Sequence, residues 1–312
     1  MFFLTLIIGF VLLIKGADLF VEGSVSIAKY FNVPAMIIGL TIVALGTSAP
    51  EASVSITSSL AGQNEMSIAN VVGSNFFNIL LVLGVSSIIK TLPVKIDTVK
   101  KDTPFLILIS ILLLIFSYNL KLSRFEGFIF LVIFTYFLFD TIKSSKKSIS
   151  EINSNESNDS NNKPQSVLKT IIISIIGLVG IVFGGDMVVN SASSIATIFG
   201  MSENLIGLTI VAMGTSLPEF VTSIVAVKKG ETEIAIGNVI GSNIFNILFV
   251  LGISTVIAPL TVSMASLIDI IFMILITLIL FFMINKKHNL NKANGILMVL
   301  MYVIYMIYTI FR

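Results

Sequence analysis

The sequence predicts an all-α polytopic membrane protein with ten transmembrane helices, arranged as two inverted five-helix repeats. Three observations carry that expectation. First, 55% of the 312 residues are hydrophobic and 12% are charged, with long apolar runs recurring along the chain. About 20 apolar residues cross a bilayer core as a helix. Second, the stretch from Ile38 to Glu51, IGLTIVALGTSAPE, returns as Ile206 to Glu219, IGLTIVAMGTSLPE, at an offset of 168 residues. Third, the apolar segments fall five to each copy. A soluble domain would have to bury several such helices in succession, and the strict alternation of a membrane barrel is absent.

The spans are read in order as residues 2–25, 34–60, 67–89, 103–119 and 125–142, then 167–190, 202–227, 235–257, 264–285 and 293–311. The first carries Lys15, Asp18 and Glu22 and lacks a small-residue cleavage site, so it reads as a membrane helix rather than a cleaved signal. In the second, Pro50 has no amide hydrogen and its ring crowds the carbonyl of Gly46, so the helix is expected to open there; Pro218 does the same to Gly214 in the seventh. The third and eighth share a second repeated stretch, NVVGSNFFNILLVLGV from Asn70 and NVIGSNIFNILFVLGI from Asn238. Between the fifth and sixth lies a polar segment rich in Ser, Asn, Lys and Glu, which reads as a linker without core-forming residues. The expected domains are therefore residues 1–142, a linker at 143–166, and residues 167–312.

Because five is odd, the second copy begins on the opposite side of the membrane, which makes the repeats inverted. Basic residues then set the orientation. With both termini outside, 15 basic residues fall in cytoplasmic segments and only Lys121, Arg124 and Arg312 fall outside. The linker is expected to be cytoplasmic, in a multi-pass protein of the cell membrane.

An ionisable side chain at the centre of a membrane helix costs at least about 2.5–3.5 kcal/mol and is a functional candidate by default. Glu51 and Glu219 occupy that position in matched halves, which points to a cation site where two repeats meet. Ala44, Thr47, Ser48, Glu51 and Ser55 are spaced by threes and fours and share a helical stripe; so do Ala212, Thr215, Ser216, Glu219 and Ser223. Asn70, Ser74 and Asn78, with Asn238, Ser242 and Asn246, add polar stripes on the third and eighth spans. These side chains offer oxygens and amides, with neither sulfur nor imidazole, a set that suits hard cations such as calcium and sodium. Two carboxylates supply the charge to neutralise one calcium ion, and joint occupancy by calcium and sodium is opposed by repulsion. Taken singly, a membrane Ser, Thr or Asn often does no more than bond a neighbouring helix, typically for about 0.6 kcal/mol.

Other chemistries are excluded or unsupported. The chain has no cysteine, and its single histidine, His288, sits in a lysine-rich turn. No phosphate-cradling loop, nucleophile triad or nucleic-acid patch appears, so neither an enzyme nor a resident cofactor is expected.

The motifs GTSAPE (46–51), GTSLPE (214–219), GSNFFN (73–78) and GSNIFN (241–246) resemble those of the sodium/calcium exchanger family, within the cation/calcium antiporter superfamily. The resemblance covers nearly the whole chain and is of the compact prokaryotic type. It implies an antiporter that exchanges sodium for calcium across the bilayer by alternating access; because the pseudo-symmetry is completed within one chain, function as a monomer is expected. It further implies that Glu51 and Glu219 are the shared calcium and sodium ligands and that Thr47 and Thr215 give carbonyls to calcium. Ser48, Ser74, Ser216 and Ser242, with the carbonyls of Ala44 and Ala212, would complete flanking sodium sites, and Asn78 and Asn246 the central one. Several relatives carry an aspartate matching Asn78 or Asn246; here both are asparagine, which argues against potassium co-transport. A calcium/proton exchanger is the alternative, and a cation channel the reading from another class.

Overall fold

A computed structural model describes residues 2–155, 167–200 and 212–311. Part of the predicted seventh span and of the predicted linker lies outside the described residues. The protein is predominantly helical. The helices are α1 (Phe2–Tyr30), α2 (Ala35–Ile38), α3 (Ala44–Thr47), α4 (Ala49–Leu60), α5 (Asn64–Phe76), α6 (Leu83–Ile89), α7 (Thr103–Ser117) and α8 (Arg124–Asn155). There follow α9 (Val167–Ile198), α10 (Ala212–Gly214), α11 (Leu217–Lys228), α12 (Thr232–Phe245), α13 (Leu251–Ile257), α14 (Met264–Lys287) and α15 (Lys292–Phe311).

Among the described residues, seven continuous helices are long and apolar enough to cross a membrane, and the bent pair α2–α3 with α4 makes an eighth. The chain is thus a multi-pass membrane protein. The predicted fourth span forms α7, only 15 residues long. Its start at Thr98–Asp102 is a π-helical turn carrying Lys100 and Lys101, which lowers its apolar character.

The middle of the molecule is the most buried part. The segments Glu65–Ile89 and Thr232–Ile257 are largely shielded by protein, whereas α1, α8, α9 and α15 expose rows of Phe, Ile, Leu and Val. The second and eighth spans interlock, with α12 lying against α2, the π-helical turn at Gly39–Val43 and α3. Two further π-helical turns, Phe77–Val82 and Asn246–Val250, occupy nearly matching places in the third and eighth spans. Such turns are rare and cluster at functional sites.

α1 and α9 run against each other through glycine. A Cβ on Gly177 would stand 2.5 Å from the Phe20 nitrogen, and one on Gly184 would stand 2.5 Å from the Leu13 nitrogen. Only a missing side chain lets the two backbones approach so closely.

One feature departs from the sequence reading. The fifth span continues as α8 through Asn155, into the stretch expected as linker. Beyond Gly127 no Gly or Pro occurs before Pro164, and the Ser, Lys and Glu residues of this stretch tolerate a helix in water. Asp18 of the first span forms an ion pair of 2.8 Å with Lys229, which also lies 3.8 Å from Glu22.

Among the described residues, four two-residue strands tie the halves together, a feature the sequence gives no sign of. β1 (Leu92–Pro93) pairs antiparallel with β4 (Asn289–Leu290), and β2 (Lys121–Leu122) pairs with β3 (Leu260–Thr261). In register, Leu92 faces Leu290 and Leu122 faces Leu260, the same two positions at the 168-residue offset with their roles exchanged.

Candidate cation site

Both proline motifs break their helices as expected. The chain leaves helical geometry at Ser48 (φ −83°, ψ 9°) and at Ser216 (φ −90°, ψ 5°). α2–α3 and α4 meet at a bend of 45°. Pro50 and Pro218 then sit in the first turns of α4 and α11, where a missing N–H costs nothing. Glu51 and Glu219 also lie in those first turns, at helix ends whose partial positive charge favours a carboxylate.

The two breaks meet. The Ser48 hydroxyl donates to Glu219 Oε1 at 2.8 Å, and the Ser216 hydroxyl donates to Glu51 Oε1 at the same 2.8 Å. Each carboxylate therefore takes a hydroxyl from the opposite half. Ser74 and Ser242 approach the same oxygens, at 3.4 Å from Glu51 Oε1 and Glu219 Oε1 respectively. Both glutamates are completely buried, as are Thr47, Ser48, Ser74, Asn78, Ser216, Ser242 and Asn246.

A second layer fixes the helices around them. The Asn70 amide donates to Ser55 Oγ (2.9 Å) and to the Glu51 carbonyl (3.2 Å). Asn238 repeats this with Ser223 Oγ (3.0 Å) and the Glu219 carbonyl (3.3 Å). Each then accepts from across the pseudo-symmetry: Thr47 Oγ1 donates to Asn238 Oδ1 at 3.0 Å, and Thr215 Oγ1 to Asn70 Oδ1 at 3.5 Å. The threonine side chains are thus committed to bracing. The Ala44 carbonyl accepts from the Ser48 amide at 3.0 Å and lies 3.5 Å from Ser242 Oγ. Ala212 begins α10.

Among the described residues, four buried oxygens at this centre have no hydrogen-bond donor: Glu51 Oε2, Glu219 Oε2, Asn78 Oδ1 and Asn246 Oδ1. Buried acceptors are nearly always satisfied, and an orphan requires an explanation. Among the described residues neither glutamate pairs with Lys or Arg, and no third acidic or imidazole side chain joins them. Two carboxylates and two amide oxygens, buried and unpaired, are a set that suits a hard cation. Every predicted site residue whose side chain is described is either at this centre or braces it.

Sequence reasoning missed Asn75 and Asn243. The Asn78 amide donates to Asn243 Oδ1 at 3.1 Å, and the Asn246 amide to Asn75 Oδ1 at 3.2 Å. The available signal was their place inside the repeated GSNFFN and GSNIFN motifs, one residue off the expected polar stripe.

Beside the breaks lies a cavity of about 800 Å³, bounded by α9 on one side and by Ala49, Pro50, Thr215 and Pro218 on the other. The corresponding flank of α1 is instead packed against α11 and held by Lys229.

Comparison with known proteins places this geometry. The family model described as sodium/calcium exchanger protein matches residues 1–143 and 169–311. The chain belongs to the sodium/calcium exchanger family. This is a family of membrane antiporters, and the chain is of its compact prokaryotic type. It is 37% identical to the sodium/calcium exchanger MaX1 of Methanosarcina acetivorans over 299 residues, covering 85% of each protein. It is 41% identical to CaxA of Alkalimonas amylolytica, a candidate antiporter, over 81% of this chain and 80% of that one. Among solved structures it is similar to the sodium-calcium exchanger NCX_Mj soaked with zero Na+ and Ca2+, at a TM-score of 0.85 and 32% identity, covering 98% and 97% of the two chains.

Proposed function

We propose that this exchanger moves calcium against sodium through one central site that faces each side of the membrane in turn. The reading takes the chain as ten transmembrane helices in two inverted repeats, residues 1–142 and 167–312, joined by a cytoplasmic linker at 143–166. Both termini then lie outside the cell. Glu51 and Glu219 are the shared ligands. Ser48, Ser74, Ser216 and Ser242, with the carbonyls of Ala44 and Ala212, serve sodium. Thr47 and Thr215 contribute carbonyls to calcium, and Asn78 and Asn246 contribute side-chain oxygens.

The observation that carries the reading is the reciprocal clasp. Each glutamate accepts a serine hydroxyl from the opposite half and keeps a second, unpartnered oxygen. Two negative charges at one centre are balanced by one divalent ion or two monovalent ions, but repel each other when empty. Calcium requires about 6–8 oxygens. The orphan oxygens supply four, and the threonine carbonyls and water supply the remainder. Sodium draws on the same carboxylates together with the serine hydroxyls. Competition for shared ligands couples the two fluxes.

Alternating access is supported by the cavity beside the helix breaks and by the close, glycine-lined contact of α1 with α9. Close backbone packing joins α1 and α9 into one unit, as a pair moving as a body over the central helices requires. The decisive experiment is uptake of radiolabelled calcium into proteoliposomes under an outwardly directed sodium gradient, with potassium, lithium and a proton gradient as substitutes. Sodium-dependent uptake is expected. Uptake that ignores sodium and follows the pH gradient overturns the proposal in favour of calcium/proton exchange.

A further inference from the structure

We infer that Met273, which is not at the cation centre, sets calcium affinity by fixing which end of the Asn246 amide faces the ion, with Asn75 as the intermediary. The inference rests on the cation-site reading above and deepens it.

An asparagine amide has two chemically opposite ends, and only its oxygen can serve a cation. Asn246 is completely buried, so the choice between its ends is made by its neighbours. Its nitrogen donates to Asn75 Oδ1 at 3.2 Å, which leaves Asn246 Oδ1 as the orphan at the centre. That arrangement holds only while Asn75 presents oxygen. Asn75 is also buried, and its nitrogen lies 3.5 Å from Met273 Sδ on α14. A thioether sulfur accepts a hydrogen bond and has no hydrogen to donate. Turning the Asn75 amide over would set its oxygen against that sulfur and its nitrogen against the nitrogen of Asn246. Restoring the pair would then require Asn246 to turn as well and to aim its N–H groups at the cation. The sulfur therefore biases the whole chain of amides towards the coordinating state.

The matching pair in the other half lacks this control. The Asn78 amide donates to Asn243 Oδ1 at 3.1 Å, but Asn243 Nδ2 is buried with no partner among the described residues. The residue 168 positions before Met273 is Phe105, which has no lone pair to offer. The Asn243–Asn78 pair can be turned over with little change in its hydrogen bonding, so the two amide ligands are unequal: Asn246 is locked and Asn78 is free to present either end. Met273 and Asn75 are positioning residues, since neither is an orphan oxygen of the centre.

The test is a mutant cycle read by calcium half-saturation of exchange in proteoliposomes and by equilibrium calcium binding to the purified protein. Met273→Leu keeps the volume and removes the acceptor. It is expected to raise half-saturating calcium by roughly two- to ten-fold, the range of one net hydrogen bond. Asn75→Ala breaks the same link from the other side and is expected to weaken calcium in the same direction, which keeps the inference testable if one variant folds poorly. The discriminating step is to repeat Met273→Leu in backgrounds where Asn246 has no amide to orient, namely Asn246→Asp and Asn246→Ala. In both, the effect of Met273→Leu is expected to vanish. An equal loss in every background shows that Met273 merely packs, and no loss in the unmodified protein shows that the sulfur does not orient the amides; either result overturns the inference. Absence of sodium-driven calcium uptake by the unmodified protein would instead overturn the reading on which it rests.

Discussion

Glu51 and Glu219 are two buried carboxylates without a basic partner among the described residues, so each destabilises the other whenever no cation lies between them. This gives their substitutions opposite effects on activity and stability. Glu51→Gln or Glu219→Gln is expected to lower calcium exchange by at least about ten-fold. In chelator-containing, sodium-free buffer the same variants are expected to melt at a higher temperature than the unmodified protein, because one buried charge is gone. Flux assays and thermal scans on the same preparations check both halves. Calcium linkage follows from the same charges: at one hundred times its Kd, calcium should stabilise the protein by about 2.7 kcal/mol, and a chelator should reverse the gain. Glu51→Gln should lose it. These acids were legible in the sequence because a repeated carboxylate in an apolar run has few structural explanations. Asn75 and Asn243 were not, because an asparagine one step off a polar stripe reads as packing until its hydrogen-bond partner on another helix is known.

The long helices α1 and α9 meet without side chains at Gly177 and Gly184, and this contact has little tolerance. Gly177→Val places a branched side chain against the Phe20 backbone and is expected to cost about 1–3 kcal/mol by overpacking. Since neither helix supplies a proposed ligand, calcium binding should survive while turnover falls. Comparing equilibrium binding with flux separates the two. Lys229 bridges the turn after α11 to Asp18 and Glu22 of α1 through partly exposed side chains. Lys229→Ala should therefore change stability by less than about 1 kcal/mol, with a difference that shrinks at high salt. Helix breaks at Ser48 and Ser216 followed directly from Pro50 and Pro218, whose missing N–H acts within one turn. The π-helical turns and the short β1–β4 and β2–β3 pairs did not. Two residues of strand carry no alternation, and an extra residue in a helical turn leaves the apolar pattern almost unchanged.

For the whole molecule, the proposed orientation yields a direct experiment. The chain has no cysteine, so single cysteines can be introduced without first clearing a background. A membrane-impermeant maleimide added to intact cells is expected to label Tyr118→Cys, in an exposed turn assigned to the outside, and to spare Ser160→Cys, assigned to the cytoplasmic linker. Inverted vesicles should reverse the result. Labelling of both from the same face would contradict an odd number of spans between them. The linker itself shows where composition misleads: a polar stretch excludes a buried core but does not exclude helix, and α8 runs through Asn155.

The sequence by itself determined that this is a membrane protein with a duplicated acidic site, because hydropathy, proline and buried charge act on scales shorter than a span and are repeated at a fixed offset. Only the tertiary structure decided which oxygens remain unpartnered and which amides brace them. Those properties depend on groups about 165 to 200 residues apart meeting at hydrogen-bond distance. No local pattern encodes that distance; it arises when the two halves pack and each side chain must find its partner in the other.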